Sequence, residues 1–268
     1  MYSKYSERKS YIKMIQNIIE IAINAGNAIL EIYKQDFTVE IKNDNSPLTL
    51  ADKNANEIIV DGLQNLDKTI PVISEENKLT DFSERKNWSK CWIVDPLDGT
   101  KEFIKKNGEF TVNIALVENG IPILGVVYVP AQNITYYAEK DKGSFKIENG
   151  ITSTLKIRKL AEDGILKIVG SRSHQTPELL EYVEQQKTKF SQVDFVAAGS
   201  SLKFCLLAEG KADVYPRLGP TMEWDTCAGQ IVATEAGAIV LRFDNNEPLL
   251  YNREDLLNPF FIVKNPEL

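Results

Sequence analysis

The segment Trp92-Ile93-Val94-Asp95-Pro96-Leu97-Asp98-Gly99-Thr100 constrains this chain more than any other. A run of large apolar residues ends in two carboxylates and breaks at a glycine. It reads as a buried strand followed by a turn and a helix start, the place where α/β proteins hold anionic ligands. Two aspartates repel an anion unless a divalent cation stands between them. Asp95 and Asp98 are therefore candidate Mg²⁺ ligands, and the chain is a candidate metal-dependent phosphatase.

Composition narrows the alternatives. With 268 residues, 43% of them hydrophobic, the chain can bury a full core in one large domain or two coupled lobes. A net charge of −7 argues against a nucleic-acid polymer as partner, while a small phosphorylated substrate stays compatible because bound metal inverts the local field. Cys91, Cys205 and Cys227 are odd in number and lack CxxC spacing, which suits reduced, buried thiols in a cytoplasmic protein. The first residues do not read as a signal peptide, and no apolar run reaches membrane-spanning length. His174 is the only histidine, so a His-rich zinc site and a two-histidine phosphatase are excluded, and no GxSxG elbow is present. Carboxylates, hydroxyls and hard metals are left to carry the chemistry.

Apolar periodicity predicts a helix over residues 11–33 capped by Ser10, a strand over 37–42, a turn-rich loop over 43–47 and a second helix over 49–66 with Ala51, Ile58, Ile59 and Leu63 inward. Strands are expected at 72–74 and 91–95. A hairpin over 111–129 turns at Asn119-Gly120, and strands at 133–138 and 143–147 extend its sheet. Strands and helices then alternate, with helices at 177–190, 201–208 and 225–236. The pattern predicts an N-terminal α+β lobe (residues 1–155) and a C-terminal α/β lobe (156–268).

Glu75 and Glu76 end a short apolar strand. If it lies beside 91–95, a glutamate and two aspartates converge at one sheet edge and form the oxygen-only shell that hard cations take. The Leu97 carbonyl is a further candidate ligand, and Asp225, at the expected start of a helix in the second lobe, would close the site between the lobes. Taken singly, each of these residues has an ordinary explanation as a turn residue, a solvated pair or a helix cap, and Asp52 as a first-turn helix charge. Their occurrence together, each after an apolar segment, carries the reading.

Asp95-Pro96-Leu97-Asp98-Gly99-Thr100, with Glu75-Glu76 upstream and Trp224-Asp225-Thr226-Cys227-Ala228-Gly229 downstream, resembles the two signatures of the inositol monophosphatase-like superfamily, a lithium-sensitive, Mg²⁺-dependent phosphatase group. The resemblance spans nearly the whole chain. Within that superfamily, the stretch 212–225 around Tyr215-Pro216-Arg217-Leu218-Gly219-Pro220, together with Gly199-Ser200-Ser201-Leu202-Lys203 and Ser171-Arg172-Ser173-His174, resembles the CysQ-type 3′(2′),5′-bisphosphate nucleotidases. The resemblance implies a layered α-β-α-β-α sandwich and removal of the 3′-phosphate of 3′-phosphoadenosine 5′-phosphate (PAP), leaving AMP. It also implies attack by metal-activated water without a covalent intermediate.

Carried over by position, Glu75, Asp95 and the Leu97 carbonyl hold a first Mg²⁺, and Asp95, Asp98 and Asp225 a second, with Glu75 touching a weaker third. Asp52 and Thr100, with Glu75, are the catalytic residues, the first two orienting and helping to deprotonate water. The Gly99 and Thr100 amides receive the scissile phosphate. His174, Ser200, Lys203 and Arg217 contact the nucleotide beside Asp225, and the loop 42–49 carries mobile metal-linked residues. Mn²⁺ is the expected substitute cation, and Li⁺ and Ca²⁺ are the expected inhibitors. The resemblance leaves open monomer or homodimer, and attachment to the inner face of the membrane. Inositol monophosphatase is the main alternative activity, and fructose-1,6-bisphosphatase a weaker one because those chains are longer. The Asp-x-Asp-Gly-Thr motif of haloacid-dehalogenase phosphatases is out of register by one residue here. A catalytically silent nucleotide- or sugar-phosphate-binding protein is the alternative of another class.

Overall fold

The structure is a computed structural model that describes residues 2–34, 39–41, 47–160, 164–171 and 176–268, with side chains described from residue 14 in the first span and from residue 50 onward. Helix α1 (Tyr2–Tyr33) begins well before residue 11, so Ser10 lies inside it and is no cap. No glycine or proline interrupts residues 2–13, and nothing in that stretch stops a helix. Strands β1 (Val39–Ile41) and β2 (Pro47–Thr49) pair antiparallel, and helix α2 (Leu50–Leu66) follows directly. The expected strand ends at 37, 38 and 42 and the loop residues 43–46 lie outside the described residues.

Helix α1 buries Ile15, Ile18, Ile19, Ala22, Ala25 and Ile29, and α2 buries Ala51, Ala55, Ile59 and Leu63. These three- and four-residue spacings make one apolar stripe on each helix. Ile58 sits at the edge of the stripe, partly buried.

A seven-stranded sheet runs in sequential order through β3 (Val72–Ser74), β4 (Lys90–Asp98), β5 (Thr111–Glu118), β6 (Ile121–Val129), β7 (Ile134–Glu139), β8 (Gly143–Glu148) and β9 (Ile151–Leu155). Short helices α3 (Phe82–Arg85) and α4 (Thr100–Ile104) flank β4. Only β3–β4 is parallel; every other pair in this sheet is antiparallel. The β5–β6 turn has positive φ at both Asn119 (50°) and Gly120 (78°), the hairpin geometry anticipated from the dipeptide.

A second sheet has the order β11-β10-β12-β14-β13, from β10 (Ile165–Gly170), β11 (Gln192–Ala197), β12 (Val214–Arg217), β13 (Ile239–Arg242) and β14 (Phe261–Lys264). Helices α5 (Pro177–Lys187), α6 (Leu202–Ala208) and α7 (Cys227–Glu235) complete the chain.

Strand alternation assigns the layers. In β4, Trp92 and Val94 face α1 and α2, while Cys91 and Ile93 face α6, α7 and the second sheet. Leu166, Ile168, Val214 and Ile262 form the far face of the second sheet, packed under Tyr182 and Val183 of α5. The order α1/α2, seven-stranded sheet, α6/α7, five-stranded sheet, α5 is the α-β-α-β-α sandwich. Helix α7 comes so close to β6 that a Cβ on Gly125 would lie 2.9 Å from the Ala228 carbonyl oxygen. All three cysteines are buried and free. Among the described residues, no helix is long and apolar enough to cross a membrane.

Candidate metal centre and substrate cleft

Parallel pairing sets Ser74 opposite Val94, and the Glu75 amide donates to the Val94 carbonyl at 3.2 Å. The ladder thus runs one residue further, and Glu75, just past the end of β3, comes to lie beside Asp95 of β4. On the other side, β4 and β5 pair Asp95 with Asn113 and then Asp98 with Thr111. Three steps on β4 match two on β5, so one residue bulges. Without the bulge, residues 95 and 98 would point to opposite faces of the sheet; the extra residue returns both carboxylates to the face that meets α6 and α7. Pro96 has no amide to give the ladder, and the Leu97 amide turns back to Asp95 Oδ1 at 3.0 Å. The Leu97 side chain is buried against α1 and α2.

Gly99 ends the strand at φ 92°, a left-handed conformation that favours glycine, and Thr100 is the first residue of α4. Asp52, in the first turn of α2, is 1% exposed and close enough to raise the pKa of Asp95.

Asp225 corrects the sequence expectation. It does not begin a helix: it is the third residue of a 3₁₀ turn (Glu223–Asp225), and α7 starts at Cys227. Its Oδ2 accepts the Met222 amide at 2.9 Å, so the side chain satisfies a donor behind it and the tight turn replaces the expected first helical turn.

The result is a cluster in which one carboxylate oxygen each of Asp95, Asp98 and Asp225 lies within 4.8 Å of the others. Burial pushes the Asp95 carboxyl well above its usual range, and the charges of Glu75, Asp98, Asp225 and Asp52 push it further. Burial also raises Asp98 to about 6 against the pull of the Lys203 ammonium and the Ser201 amide. Asp225 rises to about 8 through burial and the Asp98 charge. A buried group of like charges held this way resists ionisation until a cation joins it. Among the described residues the donor set is oxygen alone, so the residues present fit a hard divalent ion.

Opposite the carboxylates stands a basic wall. Asp98, Gly99, Ser200, Lys203, Arg217 and Asp225 line one cavity of about 130 Å³. Lys203, on α6, is lowered to about 8 by burial; its ammonium donates to the Ser200 carbonyl and lies 5.6 Å over the Tyr215 ring. Arg217 Nη2 donates to the Pro220 carbonyl at 2.6 Å, while its buried Nε has no hydrogen-bond partner. An anionic oxygen would satisfy that donor. Ser200 has a positive φ of 43°, and its hydroxyl donates to the Glu109 carbonyl at 2.9 Å. A second cavity, about 150 Å³, shares Ser171, Tyr215 and Arg217 with the first and has Leu179 and Leu218 in its wall. His174 lies outside the described residues.

Sequence reasoning missed several residues of the site. Glu102, in the first turn of α4, lines the cavity that holds Asp98 and Asp225; its only signal was its place two residues after Thr100. The turn bearing Asp225 rests in a cradle. Buried Glu223 accepts the amides of Asn252 at 2.6 Å and Arg253 at 3.1 Å, and Asn258 Nδ2 donates to the Met222 carbonyl at 2.8 Å. Arg85 of α3, also buried, holds the same loop through Asn252 Oδ1 at 2.8 Å and the Arg253 carbonyl at 3.1 Å. These pairs are distant in sequence, and no local pattern announces them.

Comparison with known proteins identifies the family. The inositol monophosphatase family description matches residues 11–267. The 3′(2′),5′-bisphosphate nucleotidase CysQ of Escherichia coli (strain K12) is 47% identical over 253 residues, covering 93% of this chain and 99% of that protein. The protein of the same name from Salmonella typhimurium is 45% identical over 252 residues, with the same coverage. The crystal structure of CysQ from Bacteroides thetaiotaomicron, described as a bacterial member of the inositol monophosphatase family, superposes with a TM-score of 0.85 at 45% identity, covering 94% of this chain and 97% of that one. By sequence, fold and the metal-ready carboxylates expected of a metal-dependent family, this chain belongs to the inositol monophosphatase family.

Proposed function

We propose that this chain is a 3′(2′),5′-bisphosphate nucleotidase that hydrolyses the 3′-phosphate of PAP to AMP and phosphate. The observation that carries the reading is one cavity that sets Asp98 and Asp225, two of the three clustered carboxylates, against Lys203 and Arg217, two basic groups beyond what a single phosphate at the metal site requires. The 45–47% identity to curated nucleotidases of that name supports it.

Glu75, Asp95, Asp98 and Asp225, with the Leu97 carbonyl, would hold Mg²⁺, two or three ions per site, with Mn²⁺ as a substitute and Li⁺ and Ca²⁺ as inhibitors. When bound, the cation neutralises phosphate oxygens and makes water more acidic. Asp52 and Thr100 orient the attacking water and take its proton. The Gly99 and Thr100 amides receive the scissile phosphate. Lys203 and Arg217 hold the other phosphate, Arg217 through its unmet Nε donor. Ser200, which lines the cavity, and His174 complete the nucleotide contacts. The base takes the second cavity, between Leu179 and Leu218. The water oxygen joins phosphorus, the bond from phosphorus to O3′ breaks, and the ribose oxygen leaves with a proton. Residues 1–155 supply most cation ligands in this scheme, and residues 156–268 supply Asp225 and the specificity residues. The buried free thiols support a reducing, cytoplasmic setting.

Phosphate release from PAP and from inositol 1-phosphate, measured side by side with Mg²⁺ and with or without Li⁺, tests the proposal. Strong preference for the nucleotide, with lithium inhibition, is expected. Preference for inositol 1-phosphate would retain the cation chemistry and discard the nucleotide contacts. Release from neither would favour a silent binder.

A further inference from the structure

A buried polar trio beside the carboxylates has no part in the reaction described above. Ser201 Oγ donates to Asn113 Oδ1 at 2.7 Å and lies 2.9 Å from Thr111 Oγ1. The three residues are 2%, 1% and 0% exposed. Ser201 has one hydroxyl proton, and Asn113 receives it; Thr111 must therefore donate to Ser201, and the chain of bonds runs one way. Asn113 Nδ2 is left buried without a hydrogen-bond partner. A polar cluster that ends in an unmet donor is a costly way to fill space, and an apolar trio of the same shape would be at least as stable.

Its placement gives the cluster a use. Asn113 and Thr111 stand directly opposite Asp95 and Asp98 in the β4–β5 register, on the same face of the sheet. Ser201 arrives from the segment before α6, and its backbone amide lies against the Asp98 carboxylate. The same segment is seated twice more. The Gly199 amide donates to Glu109 Oε2 at 2.8 Å, and Ser200 Oγ donates to the Glu109 carbonyl at 2.9 Å. The fit is close, since a Cβ on Gly199 would lie 3.1 Å from the Glu109 carbonyl oxygen.

We propose that Ser201 is a positioning residue: its hydroxyl, locked between Thr111 and Asn113 of β5, fixes the segment 199–201, whose first two residues rest on Glu109, so that the Ser201 amide and Lys203 face Asp98 and hold that carboxylate in place for the cation. The inference deepens the proposed function and rests on its cation site, though on no particular substrate. Ser201→Ala deletes the hydroxyl and keeps the amide. Thr111→Val deletes the other hydroxyl at nearly constant shape, and Thr111→Ser keeps it.

The test is a Mn²⁺ titration of the full chain without substrate, followed by calorimetry, with a thermal melt of each variant in EDTA. Loss of groups that orient metal ligands weakens binding by roughly 10–100-fold. Ser201→Ala and Thr111→Val are expected to raise the Mn²⁺ dissociation constant at least ~10-fold, with Thr111→Ser within about twofold of the unsubstituted chain. Lower melting temperatures with an unchanged dissociation constant would make the trio mere packing and overturn the inference. No Mn²⁺ binding by the unsubstituted chain would overturn the cation reading itself, and this inference with it. Ser201→Ala failing to fold leaves Thr111→Val to decide by the same criterion.

Discussion

Replacing Asp95 by asparagine should remove activity and leave the metal-free protein at least as stable as before. Asp95 is 1% exposed, and one of its oxygens lies within 4.8 Å of oxygens from both Asp98 and Asp225. At that separation two unit charges repel by about 3.5 kcal/mol at an effective dielectric constant near 20. The neutral amide would erase the repulsion toward both neighbours, while its carbonyl oxygen can still accept the Leu97 amide that Asp95 Oδ1 accepts now. Protonation already relieves part of the strain in the cation-free site, so a net gain of about 1–3 kcal/mol is expected, not the full Coulomb sum. For a chain of this size that is a rise of roughly 2–10 °C in melting temperature in EDTA. Added Mg²⁺ should then stabilise the unsubstituted chain and not the variant, because binding to the native state is what raises stability. Phosphate release should fall at least ~10³-fold, the loss of charge stabilisation at the transition state. Melts in EDTA and in a Mg²⁺ series, paired with phosphate release, make the measurement. A variant that melts lower in EDTA would show that the Asp95 charge supports the fold and does not oppose it. Substantial retained turnover would remove Asp95 from the cation site.

Other perturbations follow from the same geometry. Arg217→Ala should raise KM for PAP by about 10–100-fold, the worth of a charge-assisted hydrogen bond, and affect a mono-phosphorylated substrate much less; equal losses would remove the second-phosphate role. EDTA should abolish turnover and Mg²⁺ restore it, with Li⁺ inhibiting the restored enzyme; activity that survives exhaustive chelation would contradict the cation reading. Gly125→Ala should cost about 1–3 kcal/mol, because the added Cβ would meet the Ala228 carbonyl oxygen at 2.9 Å and that backbone has little room to move; an unchanged denaturation midpoint would show that α7 can shift away from β6.

The site was legible where chemistry and local pattern coincide. The apolar run before Asp95 and the Glu75 strand end were visible as separate strands, and parallel pairing was the one assumption needed to bring them together. The hairpin at Asn119-Gly120 was visible because few other dipeptides accept two positive φ values. Strand β9 was not: residues 151–154 are exposed, and Thr-Ser-Thr shows no apolar alternation. Helix α3, four residues long, is set by the Asp81 side chain accepting the Ser83 amide, too short a signal to carry periodicity. The Asp225 turn was misread as a helix start because its cause is tertiary. The cradle of Glu223, Asn258 and Arg85 joins residues as much as 169 positions apart. The Ser201–Asn113 bond spans 88 positions and was invisible for the same reason. The β4 bulge, which puts both aspartates on one face, is a fact of register that proline and glycine hinted at and only strand pairing reveals.

Turnover of PAP in ¹⁸O-labelled water, with both products analysed by mass, tests the central claim most directly. Attack of water on the 3′-phosphorus predicts AMP free of label and phosphate carrying one ¹⁸O. Label in the nucleotide, release of the 5′-phosphate instead, or a phosphorylated protein trapped on acid quench would contradict it.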